Sequence, residues 1–123
     1  MATVMVVDDA RSDIKLMELV LEAAGHTVLS YADGENLEHE LVARRPDVLL
    51  LDIVMPKRNG YDLLRSLKRN DRTRATPVVM VSAKNEESDR AWARRQGADA
   101  YLGKPFTPEQ LVAAVAQFVR SVE

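Results

Sequence analysis

Residues 4–13, VMVVDDARSD, carry four apolar residues directly into two adjacent carboxylates and then into a polar stretch. A strand with one wet face alternates apolar and polar residues, whereas an unbroken Val- and Met-rich run suits a strand covered on both faces. The stretch therefore predicts an interior strand of a parallel sheet, ending at Asp8 and Asp9, where a helix begins. VDDARSD contains no glycine, which argues against the Gly-rich loop that cradles a nucleotide phosphate after such a strand.

The same pattern recurs along the chain. TVMVV (3–7), TVLSY (27–31), DVLLL (47–51), PVVMV (77–81) and AYL (100–102) read as five short strands. Between them the spacing becomes helical. Ile14, Met17, Leu21 and Ala24 place a helix over about 12–24, which Gly25 can end in the left-handed conformation. DGENLEHELVARRP predicts a second helix stopped near Pro46, GYDLLRSLKRN a third with Leu63, Leu64 and Leu67 inward, and NEESDRAWARRQG a fourth closed by Gly97. In TPEQLVAAVAQFVRSV, Thr107 suits the N-cap, Pro108 the first helical position and Gln110 the capping box, ahead of Leu111, Val115, Phe118 and Val119. That fifth helix is expected to run to Glu123. Strand and helix alternating five times predict an α/β fold, an open parallel sheet with helices on both faces.

Composition narrows the function classes. A chain of 123 residues, 46% hydrophobic and 29% charged, fits one folded domain over 1–123 with no separate output segment. No apolar run approaches the roughly 20 residues of a membrane span, and the N-terminus lacks a secretory pattern, so the expectation is a cytoplasmic protein with no membrane partner. The absence of cysteine excludes disulfides, thiolate catalysis and cysteine metal sites. A net charge of −2 gives no general attraction to nucleic acid. The basic pairs Arg44–Arg45, Lys68–Arg69 and Arg94–Arg95 fall near predicted helix ends, where cations complement the helix dipole.

In an open α/β sheet, functional groups collect where the strands' carboxyl ends emerge. Those ends are Asp8 and Asp9, then Asp52, then Ser82, then Lys104 beyond Gly103. Crowded carboxylates destabilise one another unless a positive charge offsets them, and oxygen donors without His or Cys favour a hard cation such as Mg²⁺. Each residue has a plainer alternative: Asp9 as the cap of the first helix, Ser82 as the cap of the fourth, Lys104 as a loop lysine, Tyr101 as an amphipathic strand residue.

VVDD, LLLDIVMPKRNG, VMVSA and YLGKPF together resemble the receiver domain of two-component response regulators, over essentially the whole chain. Asp52 and Ser82 stand 30 residues apart and Ser82 and Lys104 22 apart, the steps of chemotaxis-type single-domain members. The resemblance implies a doubly wound, flavodoxin-like sheet of order 2-1-3-4-5. It implies that Asp52 is the nucleophile, attacking a phosphohistidine on a partner histidine kinase and becoming an aspartyl phosphate. Asp9, Asp52 and the Val54 carbonyl would ligate Mg²⁺, with Asp8 joined through water, and Lys104 would place a second positive charge on the phosphoryl group. The Lys104–Pro105 peptide would be cis. Ser82 and Tyr101 would form a switch acting on the face of the fourth helix, fifth strand and fifth helix, where a downstream protein binds a monomer or weak dimer. Trp92, in the fourth helix, is either a partner-facing or a half-buried packing residue. That segment and DIVMPKRNGY most resemble the small regulators linked to type IV pilus motility and phototaxis.

Two positions depart from the better-known chemotaxis pattern. Val54 and Lys84 stand where many regulators carry an amide or an acid, and an apolar Val54 cannot hold a hydrolytic water, which implies slow self-dephosphorylation. Two other function classes compete. A Mg²⁺-dependent aspartate-nucleophile phosphatase would typically carry a second acid two residues after the nucleophile, where this chain has Val54. A receiver fold that binds partners without phosphorylation would not need the complete set Asp8, Asp9, Asp52, Ser82 and Lys104.

Overall fold

The computed structural model describes residues 2–55 and 58–119. Strands and helices alternate as β1 (Thr3–Val7), α1 (Arg11–Ala23), β2 (Thr27–Tyr31), α2 (Leu37–Arg44), β3 (Val48–Asp52), α3 (Gly60–Arg69), β4 (Val78–Ser82), α4 (Glu87–Arg95), β5 (Ala100–Gly103) and α5 (Pro108–Ala116). The strands form one parallel sheet in the order β2-β1-β3-β4-β5.

The two-residue period of a strand explains how continuous apolar runs feed two cores. Met5, Val7, Leu49, Leu51, Val78 and Met80 face one side with Leu37, Leu41, Leu63, Leu64, Leu67 and Ala93 of α2, α3 and α4. Val4, Val6, Val48, Leu50, Val79 and Val81 face the other with Met17, Leu21, Leu111, Ala114 and Val115 of α1 and α5. β3 and β4 are buried along their whole length, which is why neither alternates in sequence.

β3 and β4 begin and end one residue later than their sequence patterns suggest, and this shift carries Asp52 and Ser82 into the sheet as last strand residues. The cause lies at the strand starts. Asp47 turns its carboxylate onto the Thr3 amide at 2.8 Å. Pro77 has no N–H to give a ladder, although its carbonyl accepts from Leu49 at 2.9 Å.

Helix ends follow local chemistry, with three corrections. Gly25 and Gly97 take positive φ, 95° and 108°, and close α1 and α4 as expected. Thr107 and Gln110 complete the capping box of α5, with Pro108 beside it. The N-cap of α1 is Ala10, not Asp9, and the N-cap of α4 is Glu86, paired with Asp89, not Ser82. Both polar residues are thereby free of a capping role. α5 stops at Ala116 and does not continue through Val119: Phe118 and Val119 donate to Val115 and Ala116, three residues back, in a tightening final turn. Phe118 and Val119 still pack against the core of that face, and the expectation for 120–123 lies outside the described residues.

Candidate functional site

Parallel β1 and β3 are in register from Val4 with Val48 to Val7 with Leu51, so the residues that follow, Asp8 and Asp52, emerge side by side. Potential ligand oxygens of Asp8, Asp9 and Asp52 lie within 4.8 Å of one another. Asp8 is 1% and Asp52 7% exposed, whereas Asp9 faces solvent. Asp8 Oδ1 accepts from the Ala10 amide at 2.9 Å, which fixes the carboxylate where the chain leaves the strand.

Burial is the largest force on Asp52. It pushes the carboxyl up to about 6; Lys104 and the Val54 amide act against the rise, and the negative charges of Asp8 and Asp9 add to it. Three carboxylates clustered this closely are a donor set for a hard divalent cation, and the exposed Asp9 leaves one side of the cluster open to water. The residues fit Mg²⁺. Val54, the other expected ligand, stands two residues after Asp52 and exposes 56% of its surface, between the buried Ile53 and Met55.

The approach of α3 depends on a missing side chain. A Cβ on Gly60 would stand 2.3 Å from the Asp52 carbonyl oxygen and 2.6 Å from Ile53 Cα. With none there, the Gly60 amide donates to the Ile53 carbonyl at 2.7 Å and the Asn59 side chain caps the helix through the Tyr61 amide. The β3–α3 connection is held on its other flank by Arg58, which makes a two-pronged pair with Glu38 of α2 at 3.0 and 2.9 Å.

Ser82 and Lys104 reach the same end of the sheet from β4 and the turn after β5. Ser82 is buried, and its Oγ accepts from the Lys84 amide at 3.1 Å. The Lys104 amide donates to the Ser82 carbonyl at 2.8 Å, tying the two loops together, and the Lys104–Pro105 peptide is cis. The Lys104 ammonium meets Asp8 Oδ2 and Asp13 Oδ2, each at 2.8 Å. Burial works to lower its pKa, but the bonds from Asp13 and Asp8 outweigh that and hold it above the ordinary lysine value.

Tyr101 lies on β5, half-buried, and its hydroxyl donates to the Lys84 carbonyl. Burial, then the Tyr61 ring, push its phenol up to about 12. Arg90 of α4 lies over the Tyr101 ring at 5.3 Å from its centre. Trp92 is 44% exposed and touches Tyr61, so it combines the packing and surface roles that its sequence context left open.

All the residues expected from the sequence thus lie at one end of the sheet, Asp8, Asp9, Asp52, Val54, Ser82 and Lys104 around the carboxylates and Tyr101 one loop away. Asp13 was not foreseen. Its place as an acid in the first turn of α1, close behind the end of β1, was the one signal available. Tyr61, Arg58 and Arg90 had no sequence signal, because their partners lie on other elements.

In a doubly wound sheet the crevice at the carboxyl ends of the strands is where ligands bind, and here it holds an acidic cluster, a hydroxyl and a lysine. The response regulator receiver domain model matches residues 4–116, and the chain belongs to that family. Protein PilH of Pseudomonas aeruginosa is 38% identical over 94% of this chain and 95% of its own length, and protein PilG of the same organism is 35% identical over 96% and 87%. The chain spans about half of longer relatives, 52% of the phosphate regulon transcriptional regulatory protein PhoB of P. aeruginosa at 36% identity. Among solved structures, chemotaxis protein CheY4 of Vibrio cholerae superposes with a TM-score of 0.88 at 28% identity, covering 97% of this chain and 99% of its own. The receiver domain of a sensor histidine kinase from P. aeruginosa PAO1, solved with a magnesium ion coordinated in its active site cleft, superposes with a TM-score of 0.86 at 25% identity, covering 95% and 96%.

Proposed function

We propose that this receiver takes a phosphoryl group from a partner histidine kinase onto Asp52 and passes the signal to a protein partner through α4, β5 and α5. The observation that supports it most is the convergence of Asp8, Asp9 and Asp52 with Ser82 and Lys104 from four separate strand ends. Asp52 is the member placed for attack: it ends the central strand, and its carboxylate shares the cluster with the exposed Asp9.

In the proposed reaction an Asp52 carboxylate oxygen attacks phosphorus, forming a P–O bond as the P–N bond of the donor phosphohistidine breaks. The leaving imidazole keeps the electron pair and takes up a proton. Asp9, Asp52 and the Val54 carbonyl would hold Mg²⁺, with Asp8 joined through water. When bound, the cation offsets negative charge on the reacting oxygens. Lys104 contributes a fixed ammonium from the β5 side, and the Ser82 hydroxyl can donate to a phosphoryl oxygen. Ser82 accepts from the Lys84 amide, the Tyr101 hydroxyl holds the Lys84 carbonyl, and the Ser82 side chain also acts on the Tyr101 phenol, so a move by Ser82 would be felt at Tyr101. The α4–β5–α5 face would then shift between two existing states.

The matches to PilH and PilG, each covered over most of its length, support a place among small motility or taxis regulators. Val54 in place of a second acid weighs against a turnover phosphatase. The test is intact-protein mass after incubation with Mg²⁺ and a small-molecule phosphodonor, with Asp52→Ala and chelator controls. One phosphoryl group that needs both Asp52 and metal is expected. No adduct, with metal bound, would favour a phosphorylation-independent binding module, and steady phosphate release without an adduct would favour the phosphatase.

A further inference from the structure

Two carboxylates sit on the Lys104 ammonium, and only one of them belongs to the cluster at the strand ends. Nζ is 2.8 Å from Asp8 Oδ2 and 2.8 Å from Asp13 Oδ2. An ammonium has three donors, so two are occupied. Asp52 is close enough for its charge to act on Lys104, yet it is not one of the lysine's hydrogen-bond partners among the described residues.

The two holders differ. Asp8 is buried and has a second tie through the Ala10 amide. Asp13 stands in the first turn of α1 with 35% of its side chain exposed, and Lys104 is its only hydrogen-bond partner among the described residues. A charge-assisted bond to a partly exposed carboxylate fixes a side chain but is cheap to exchange for a better anion.

We propose that Asp13 is a positioning residue that restrains Lys104 on the α1 side of the site and competes with a phosphoryl group on Asp52 for the ammonium. The proposal rests on the receiver reading above and adds a residue to it. Asp8 cannot serve this purpose, because its carboxylate is buried in the acidic cluster itself. An acid in the first turn of a helix also complements the helix dipole, but that benefit does not depend on Lys104, and the difference makes the two roles separable.

The experiment uses the full chain with saturating Mg²⁺ and beryllofluoride, a phosphoryl mimic, as the probe, with affinity read by calorimetry. Wild type, Asp13→Asn, Lys104→Met and the double variant complete a cycle, and Asp13→Ser repeats the first change with a different side chain. Asp13→Asn is expected to tighten beryllofluoride binding by about fivefold, and by less than about twofold in the Lys104→Met background. In metal-free protein, proton exchange of the Lys104 ammonium is expected to quicken on Asp13→Asn, a readout independent of loading. Binding by wild type with no gain, or a loss, in both Asp13 variants would overturn the role of Asp13 and leave the receiver reading intact. An equal gain in both lysine backgrounds would also overturn it, in favour of a general charge effect. No beryllofluoride binding by wild type would remove the receiver reading and this inference together.

Discussion

The rings of Tyr61 and Trp92 meet edge to face, with centroids 6.4 Å apart and planes at 84°. This contact joins the first turn of α3, just behind Asp52, to the outer surface of α4. Tyr61 adds a hydrogen bond to the Asp89 carbonyl at 3.4 Å. An edge-to-face pair contributes about 0.5–1.5 kcal/mol beyond its buried area. A Tyr61→Leu, Trp92→Leu cycle in urea is expected to give a coupling near the low end, about 0.5 kcal/mol, because Trp92 is partly solvated. Additive losses would show that the rings touch without stabilising α4.

Asp52 makes stability depend on pH in a known direction. Its folded carboxyl is raised to about 6 from an ordinary 3.8, so between those values the folded state holds the proton more tightly than the unfolded chain. Its contribution to stability therefore falls as pH rises through that window and stays low above it. Asp52→Asn is expected to leave metal-free stability nearly unchanged near pH 3 and to raise it by about 3 kcal/mol at pH 7. Urea unfolding of both chains at the two pH values checks this, and an equal gain at both would point to a cause other than ionisation.

The cation that the cluster fits should reverse that penalty. Mg²⁺ at a hundred times its dissociation constant is expected to stabilise wild type by about 2.7 kcal/mol, and a chelator to remove the gain. Asp9→Asn and Asp52→Asn should each lose most of the effect. A Mg²⁺-dependent rise in melting temperature that survives both substitutions would place the cation elsewhere.

Two glycines with equally close neighbours should respond differently to alanine. At Gly60 the obstructing atoms are the Asp52 carbonyl oxygen and Ile53 Cα, which are backbone, whereas at Gly103 they belong to the Asn85 side chain at 2.2 Å. Gly60→Ala is expected to cost about 1–3 kcal/mol, as overpacking does, and to displace Asp52. Gly103→Ala needs only a turn of the exposed Asn85 side chain and is expected to cost less than about 1 kcal/mol. Denaturant midpoints of the two variants give the comparison directly.

The lifetime of a phosphorylated Asp52 should reflect its neighbours Val54 and Lys84, both exposed. Val54 offers no group to orient a water. Val54→Asn combined with Lys84→Glu is expected to lose phosphate faster than wild type in a phosphate-release assay, and an unchanged rate would mean that other groups limit access of water.

The existence and order of the strands and helices, and the identity of the groups at the strand ends, were legible in the chain, apart from the one-residue shift of β3 and β4 and the early end of α5. These are local properties. Unbroken apolar runs mark strands buried on both faces, Gly25 and Gly97 mark helix ends, and Thr107 with Gln110 marks a helix start. Asp8, Asp9 and Asp52 were legible as a cluster because, in a parallel sheet, residues at the same end of neighbouring strands must come together. How those groups are occupied was not legible in the chain, because it depends on packing between elements. Packing gave Lys104 to Asp8 and Asp13, freed Asp9 and Ser82 from helix capping, set Tyr61 against Trp92 and clamped Arg58 to Glu38. These pairings join residues on different elements, and a charged side chain takes whichever partner packing brings within reach. Chain spacing therefore specifies which groups arrive at the site, while packing decides which of them touch.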